Sequence, residues 1–154
     1  MRRSVHRGSL PLRPRASWRP QLGGAIALHR TGRYAYVVNR AHPVPDGSDN
    51  PAVCGENSVV VFDLDAQTGE PREIQRVALN GLHARCLTLS PDGKVLVAAL
   101  RQSGRIMHDN GRIVECTAGF AAFHIADTGH LTFIRQDVVD VGRNQLFWAD
   151  FAPI

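Results

Sequence analysis

The sequence predicts an all-β protein in which one unit of four antiparallel strands occurs twice. Leu82 to Leu100, LHARCLTLSPDGKVLVAAL, reads as strand, turn, strand. Leu87, Leu89, Val95 and Val97 alternate with smaller or polar neighbours, the pattern of a half-buried strand. Between them Ser90-Pro91-Asp92-Gly93 is turn chemistry: proline pre-sets one φ, and glycine takes the positive φ that closes the hairpin. Ala25 to Asn39, AIALHRTGRYAYVVN, follows the same plan around Thr31-Gly32. The copies keep step. Leu28 and Leu89 are 61 positions apart, as are Phe62 and Phe123, and Thr68-Gly69 recurs after 60 as Thr128-Gly129. A period shared through two separate hairpins is an internal repeat. Helix signals are absent, with no apolar 3.6 period and no capping box before an apolar run.

In order along the chain, the first repeat reads as strands at Ala25–Leu28, Tyr34–Asn39, Ser58–Asp63 and Arg72–Val77. The second reads as Arg85–Leu89, Val95–Leu100, Gly119–Ile125 and Leu131–Val138. Four antiparallel strands per repeat is the unit of a β-propeller blade. The period exceeds the roughly 40–50 residues usual for a blade. The excess lies between strands two and three of each repeat, at Arg40–Asn57 and Arg101–Ala118, which read as loops. Leu146–Phe151 stands where a first strand would, so the chain is expected to enter a third blade. The expected organisation is a disordered basic tail over 1–20, blades over 22–81 and 82–142, and a closing strand over 143–154.

The formal charge of +4 misleads. Arg2, Arg3, Arg7, Arg13, Arg15 and Arg19 all lie in the first twenty residues, which hold no acid; removing these six leaves −2 on the rest. The folded part therefore carries no footprint for nucleic acid. No apolar run approaches the roughly 20 residues of a membrane span, and Arg2-Arg3 lacks the apolar stretch of an export signal. Cys54, Cys86 and Cys116 are odd in number and lack CxxC spacing, which argues against a disulfide framework or structural zinc and fits a reduced, cytoplasmic compartment, with the periplasm not excluded. No cofactor is expected. His42, Asp46, Asp49, Cys54 and Glu56 are interleaved with prolines and meet no metal-site spacing, so no metal is expected either.

ALHRTGRYAYVVN, VVVFDLDAQTGEPREIQRV and HARCLTLSPDGKVLVAAL resemble consecutive blades of the seven-bladed β-propeller lactonase family, the 6-phosphogluconolactonase-like group. Members of that family carry xxHPTGRxLYVxN, VxxFxxDxxTGxL and HPRxxxxSPDGxxLxVAN. This chain departs from them in having Arg30 for proline, Ala84 inside His-Pro-Arg, and Ala99-Leu100 for Ala-Asn. The resemblance covers about Gly23 to Phe151 and implies a propeller of which this chain supplies about two blades, a C-terminal fragment.

Alternating turns place the strand one-to-two and three-to-four turns on one face of a propeller and the longer connections on the other, where ligand sites of closed β-architectures collect. His83 and Arg85 enter an innermost strand on that second face, and the resemblance places His-Pro-Arg there. Lactone hydrolysis needs a base for water and a cation for the developing oxyanion, roles that His83 and Arg85 suit. Arginine also grips carboxylate or phosphate in a bidentate way. Arg101 and His108, with Arg105, Asp109 and Glu115 near them, share the face and are expected to line a substrate pocket. His29 lies on the opposite face and is expected to be structural. Phe147 and Trp148 are expected to pack between blades, and Trp18 falls in the tail.

Two functions stay open. One is hydrolysis of a sugar-acid lactone, with a small-molecule lactone as partner. The other is a non-catalytic YVTN-type propeller module acting as a binding or scaffold surface. Bare blade edges leave self-association open.

Overall fold

A computed structural model describes residues 21–41, 55–107 and 111–152. In chain order its strands are β1 (Gln21–Leu28), β2 (Tyr34–Ala41), β3 (Ser58–Leu64), β4 (Pro71–Ala78), β5 (Cys86–Leu89), β6 (Val95–Leu100), β7 (Gly104–Met107), β8 (Ile113–Cys116), β9 (Gly119–Ile125) and β10 (Leu131–Val138). β1-β2-β3-β4 form the first sheet, and β5-β6-β9-β10 repeat that order in the second. Every ladder is antiparallel, as the repeat requires. The repeat extends to one of its irregularities. The β3–β4 ladder steps past Ile74 opposite Val61 and Phe62, and the β9–β10 ladder steps past Ile134 opposite Phe123 and Ala122. One bulge therefore sits at one place in both blades, a bend shared by the two repeats rather than a local defect.

The first hairpin turns close as their composition demands. Gly32 and Gly93 take φ of +71° and +75°, and their N–H groups donate to the carbonyls of His29 and Ser90 at 2.8 Å. A side chain on Gly93 would also strike His29, whose ring atom Nε2 would lie 2.6 Å from the added Cβ. His29 joins the two turns: Thr31 N donates to Nδ1 at 3.4 Å, which leaves Nε2–H to donate to the Gly93 carbonyl at 3.0 Å.

Two expectations need correcting. The second long connection is no plain loop, since β7 and β8 form a hairpin whose Ile106 and Cys116 bury against Leu82. Each of these four-residue strands has a single buried position, Ile106 in β7 and Cys116 in β8, too few to show a period of two in the sequence. The segment after β10 makes no ladder among the described residues. It runs beside β5 and β6 instead, held by Leu146 N–H to the Arg101 carbonyl at 2.8 Å, the Cys86 thiol to the Ala149 carbonyl at 3.4 Å, and the Thr88 hydroxyl to Asp150 at 2.8 Å.

The core lies between the sheets. Tyr36, Val38, Val59 and Val61 of the first join Leu96, Ala98, Leu100 and Phe123 of the second in one water-free cluster, with β1 and β5 side by side. Polar groups seal its edge. The Tyr36 and Tyr34 hydroxyls donate to the Gly129 and Asp127 carbonyls at 3.0 and 3.2 Å. The Gln75 amide donates to the Leu131 carbonyl at 2.9 Å and accepts from its N–H at 2.6 Å. Burial, with Tyr34 adding to it, pushes the Tyr36 phenol up to about 12.

Removing the Tyr36 hydroxyl orphans a buried carbonyl, so Tyr36→Phe is expected to cost about 1–3 kcal/mol in urea unfolding. Because the folded value exceeds the unfolded one of about 10, the contribution is whole below pH ~10 and lost as pH rises towards about 12. Wild type should therefore lose its advantage over Tyr36→Phe across that window.

Candidate anion site

β2 and β6 end, and β5 begins, on the rim that carries the long connections. Three arginines meet there. Arg40 lies at the end of β2, Arg101 directly follows β6 at the same repeat position, and Arg85 directly precedes β5. Arg40 is fixed by two bonds, from Nε to the Gly23 carbonyl at 3.0 Å and from Nη1 to His83 Nε2 at 2.6 Å. A guanidinium only donates, so Nε2 of His83 is the acceptor and the ring is neutral with its proton on Nδ1. His83 itself is 4% exposed, with φ of +55° and its N–H donating to Asn57 Oδ1 at 3.1 Å. Arg101 gives its Nε–H to Gln145 Oε1 at 2.6 Å. Arg85 and Arg101 both lie over the Phe147 ring, 5.3 and 5.1 Å from its centroid.

The electrostatics are one-sided. Burial lowers the Arg40 guanidinium below its ordinary value, and repulsion from Arg85 and Arg101 lowers it further. Arg101 is lowered by burial and then by Arg85. Several other arginines are matched: Arg76 meets Glu73 at 2.7 Å and Glu56 at 3.0 Å, which raise it above its ordinary value, and Arg33 and Arg72 share Asp63 at 3.2 Å each. Among the described residues no carboxylate pairs with Arg40, Arg85 or Arg101. Three guanidiniums that repel one another without a counter-ion form a place for an anion.

The residues expected to act together are redistributed. His83 is joined to Arg40, and Arg85 to Arg101 through Phe147. His108 and Asp109 lie outside the described residues, as do His42, Asp46, Asp49 and Cys54. Arg105 and Glu115 face each other across the β7–β8 hairpin, both exposed. Among the described residues no three histidine, cysteine or acidic side chains converge as metal ligands. Phe147 does not pack between sheets, and Trp148 is 75% exposed. Sequence reasoning singled out Arg101 but passed over Arg40, although the 61-residue spacing makes them one repeat position. Phe147, Gln145 and Asn57 carried no signal, because their roles arise only from contacts distant in sequence.

Four-stranded antiparallel repeats packed face to face, with the long connections on one rim, define consecutive blades of a β-propeller. Residues 8–110 match the family described as "Lactonase, 7-bladed beta-propeller", and the chain belongs to that family. It is 28% identical over 85 residues to the 6-phosphogluconolactonase of Bacillus subtilis (strain 168), covering 55% of this chain and 20% of that protein. The periplasmic gluconolactonase of Pseudomonas aeruginosa shares its fold with a TM-score of 0.57 at 21% identity, over 83% of this chain and 28% of that one. A Lactobacillus plantarum protein of known structure does so with a TM-score of 0.54 at 20% identity, over 81% and 28%. The chain thus spans between a fifth and three-tenths of the length of these relatives.

The two kinds of site residue should respond unequally to truncation. His83→Ala breaks a hydrogen bond to a charged group and is expected to cost about 1.5–3 kcal/mol of unfolding free energy. Arg85→Ala removes a like charge and no described hydrogen bond, so its effect should stay within about 0.5 kcal/mol. Thermal and urea melts of the two variants make the comparison.

Proposed function

We propose that this chain supplies the anion-gripping wall of a lactonase acting on a sugar-acid lactone, of the 6-phosphogluconolactonase type. Family membership supports lactonase-like function in general. The observation that carries the finer reading is the triad Arg40, Arg85 and Arg101, drawn together by three different strand ends and without a carboxylate partner among the described residues. In this reading Arg101 and Arg40 hold the substrate's phosphate or carboxylate, and Arg85 faces the lactone carbonyl. Water attacks that carbonyl carbon, its proton passes to a neutral imidazole, and Arg85 stabilises the oxyanion. The ring C–O bond then breaks and the leaving alkoxide takes the proton back. His83 is the imidazole of this scheme, in its base-competent neutral form. Its Nε2 becomes available when the substrate's anion draws Arg40 away.

The engagement and burial of that same Nε2 favour a second reading, in which His83 only positions Arg40 and the module binds an anion without turning it over. Turnover separates the two. The lactone reading expects His83→Ala in a propeller-complete protein to lose about 100- to 10,000-fold in hydrolysis rate. Unchanged turnover per folded molecule would leave only binding. Both readings expect inorganic phosphate to raise the melting temperature of this chain more than chloride at equal ionic strength. Arg101→Ala should weaken phosphate binding by about ten- to a hundredfold, the worth of one charge-assisted contact. Equal stabilisation by the two salts would remove the anion site.

A further inference from the structure

We infer that Phe147 is a positioning residue that holds Arg85 and Arg101 side by side at the anion site, which makes the segment after β10 part of that site. This rests on the reading of the arginine triad as an anion site. Arg40 is oriented by two hydrogen bonds and Arg101 by one, but for Arg85 the contact described is the Phe147 ring. A guanidinium on a long flexible stem with no hydrogen bond samples many rotamers, and ordering it on a ligand costs affinity. An aromatic face within about 6 Å of the cation supplies a preferred position without consuming any N–H donor. Arg85 therefore keeps all its donors for the anion.

The same ring lies 5.1 Å from Arg101, so one aromatic ring attracts two cations that repel each other. The ring's own placement is fixed from both sides. Upstream, Leu146 N–H binds the Arg101 carbonyl and Gln145 takes the Arg101 Nε–H. Downstream, the Ala149 carbonyl accepts from Cys86 and the Asp150 carboxylate from Thr88. Phe147 is 48% exposed and absent from both apolar clusters, so burial does not explain its position. Trp148, more exposed still, touches neither arginine by such a contact and serves as the neighbouring control.

Phosphate titrations of the full chain at constant ionic strength, with NMR observation of the arginine side-chain protons, test this. Phe147→Leu keeps an apolar side chain but loses the quadrupole. It should weaken phosphate binding by about two- to fivefold, the worth of one exposed cation–π contact, and abolish the ring-current shifts of Arg85 and Arg101. Phe147→Tyr and Phe147→Trp should restore both. In an Arg85→Ala background Phe147→Leu should weaken binding less than in the wild type. The inference is overturned if Arg85→Ala and Arg101→Ala weaken phosphate binding while Phe147→Leu binds like wild type. Equal weakening by Phe147→Leu and Trp148→Leu, or failure of tyrosine and tryptophan to restore it, would also overturn it. If the two arginine variants themselves bind phosphate like wild type, the anion site falls and this inference with it.

Discussion

Tyr36, Val38, Val59 and Val61 on one sheet and Leu96, Leu100 and Phe123 on the other have no access to water, and the rest of the molecule is arranged around keeping them so. Each such side chain is worth about 1.5–3 kcal/mol on burial, against about 1 kcal/mol net for a hydrogen bond such as Tyr36 to Gly129. Packing between the blades therefore sets the geometry, and the tyrosine and glutamine contacts adjust its edges. Once the sheets stack with β1 beside β5, the short turns of both fall on one side, where His29 meets Gly93. Both long connections fall on the other. The site is a consequence of that stacking, because Arg40 comes from one blade and Arg85 and Arg101 from the other.

Charge placement on the two kinds of surface follows different rules. On the outer strands arginines answer acids: Arg76 with Glu56 and Glu73, Arg33 and Arg72 with Asp63, Arg135 with Asp137. Such exposed pairs add little stability, about 0–1 kcal/mol each. At the rim the pattern reverses, since Arg40 and Arg101 are partly desolvated, repel Arg85, and meet no acid among the described residues. A fold selected for stability alone would relieve that repulsion with one carboxylate. Under the proposed function an anionic ligand would offset the cost of keeping it, and would bind more tightly for the repulsion it removes.

The fold was legible because its signals are local and repeated. Pro91-Asp92-Gly93 and Thr31-Gly32 set hairpins, alternation set strands, and a 61-residue spacing seen twice excluded coincidence. Eight of the ten strands follow from those cues alone. The β7–β8 hairpin did not, because four-residue strands carrying Arg105 and Glu115 resemble a polar loop until Ile106 and Cys116 find Leu82. The site was half legible. That His83, Arg85 and Arg101 share the rim of the long connections followed from turn parity and family resemblance. Which of them meet did not, because the link from His83 to Arg40 crosses 43 residues and that from Arg101 to Gln145 crosses 44. Periodicity says which way a side chain points along its own strand and nothing about the strand that will face it.

His83 shows how closely the core and the rim are coupled. Leu82, His83 and Ala84 are consecutive and all buried, which a plain extended chain, alternating sides, cannot arrange against a single core. The two apolar neighbours serve different clusters: Leu82 packs with Ile106 and Cys116, and Ala84 joins the main core between the blades. A left-handed φ at the residue between them turns the chain from one to the other. Histidine tolerates that conformation better than a β-branched residue would, and Asn57 secures the turned backbone by accepting the His83 N–H. The turn aims the imidazole at Arg40. The residue that lets the chain satisfy two hydrophobic clusters is thus the one that orients the first arginine of the site.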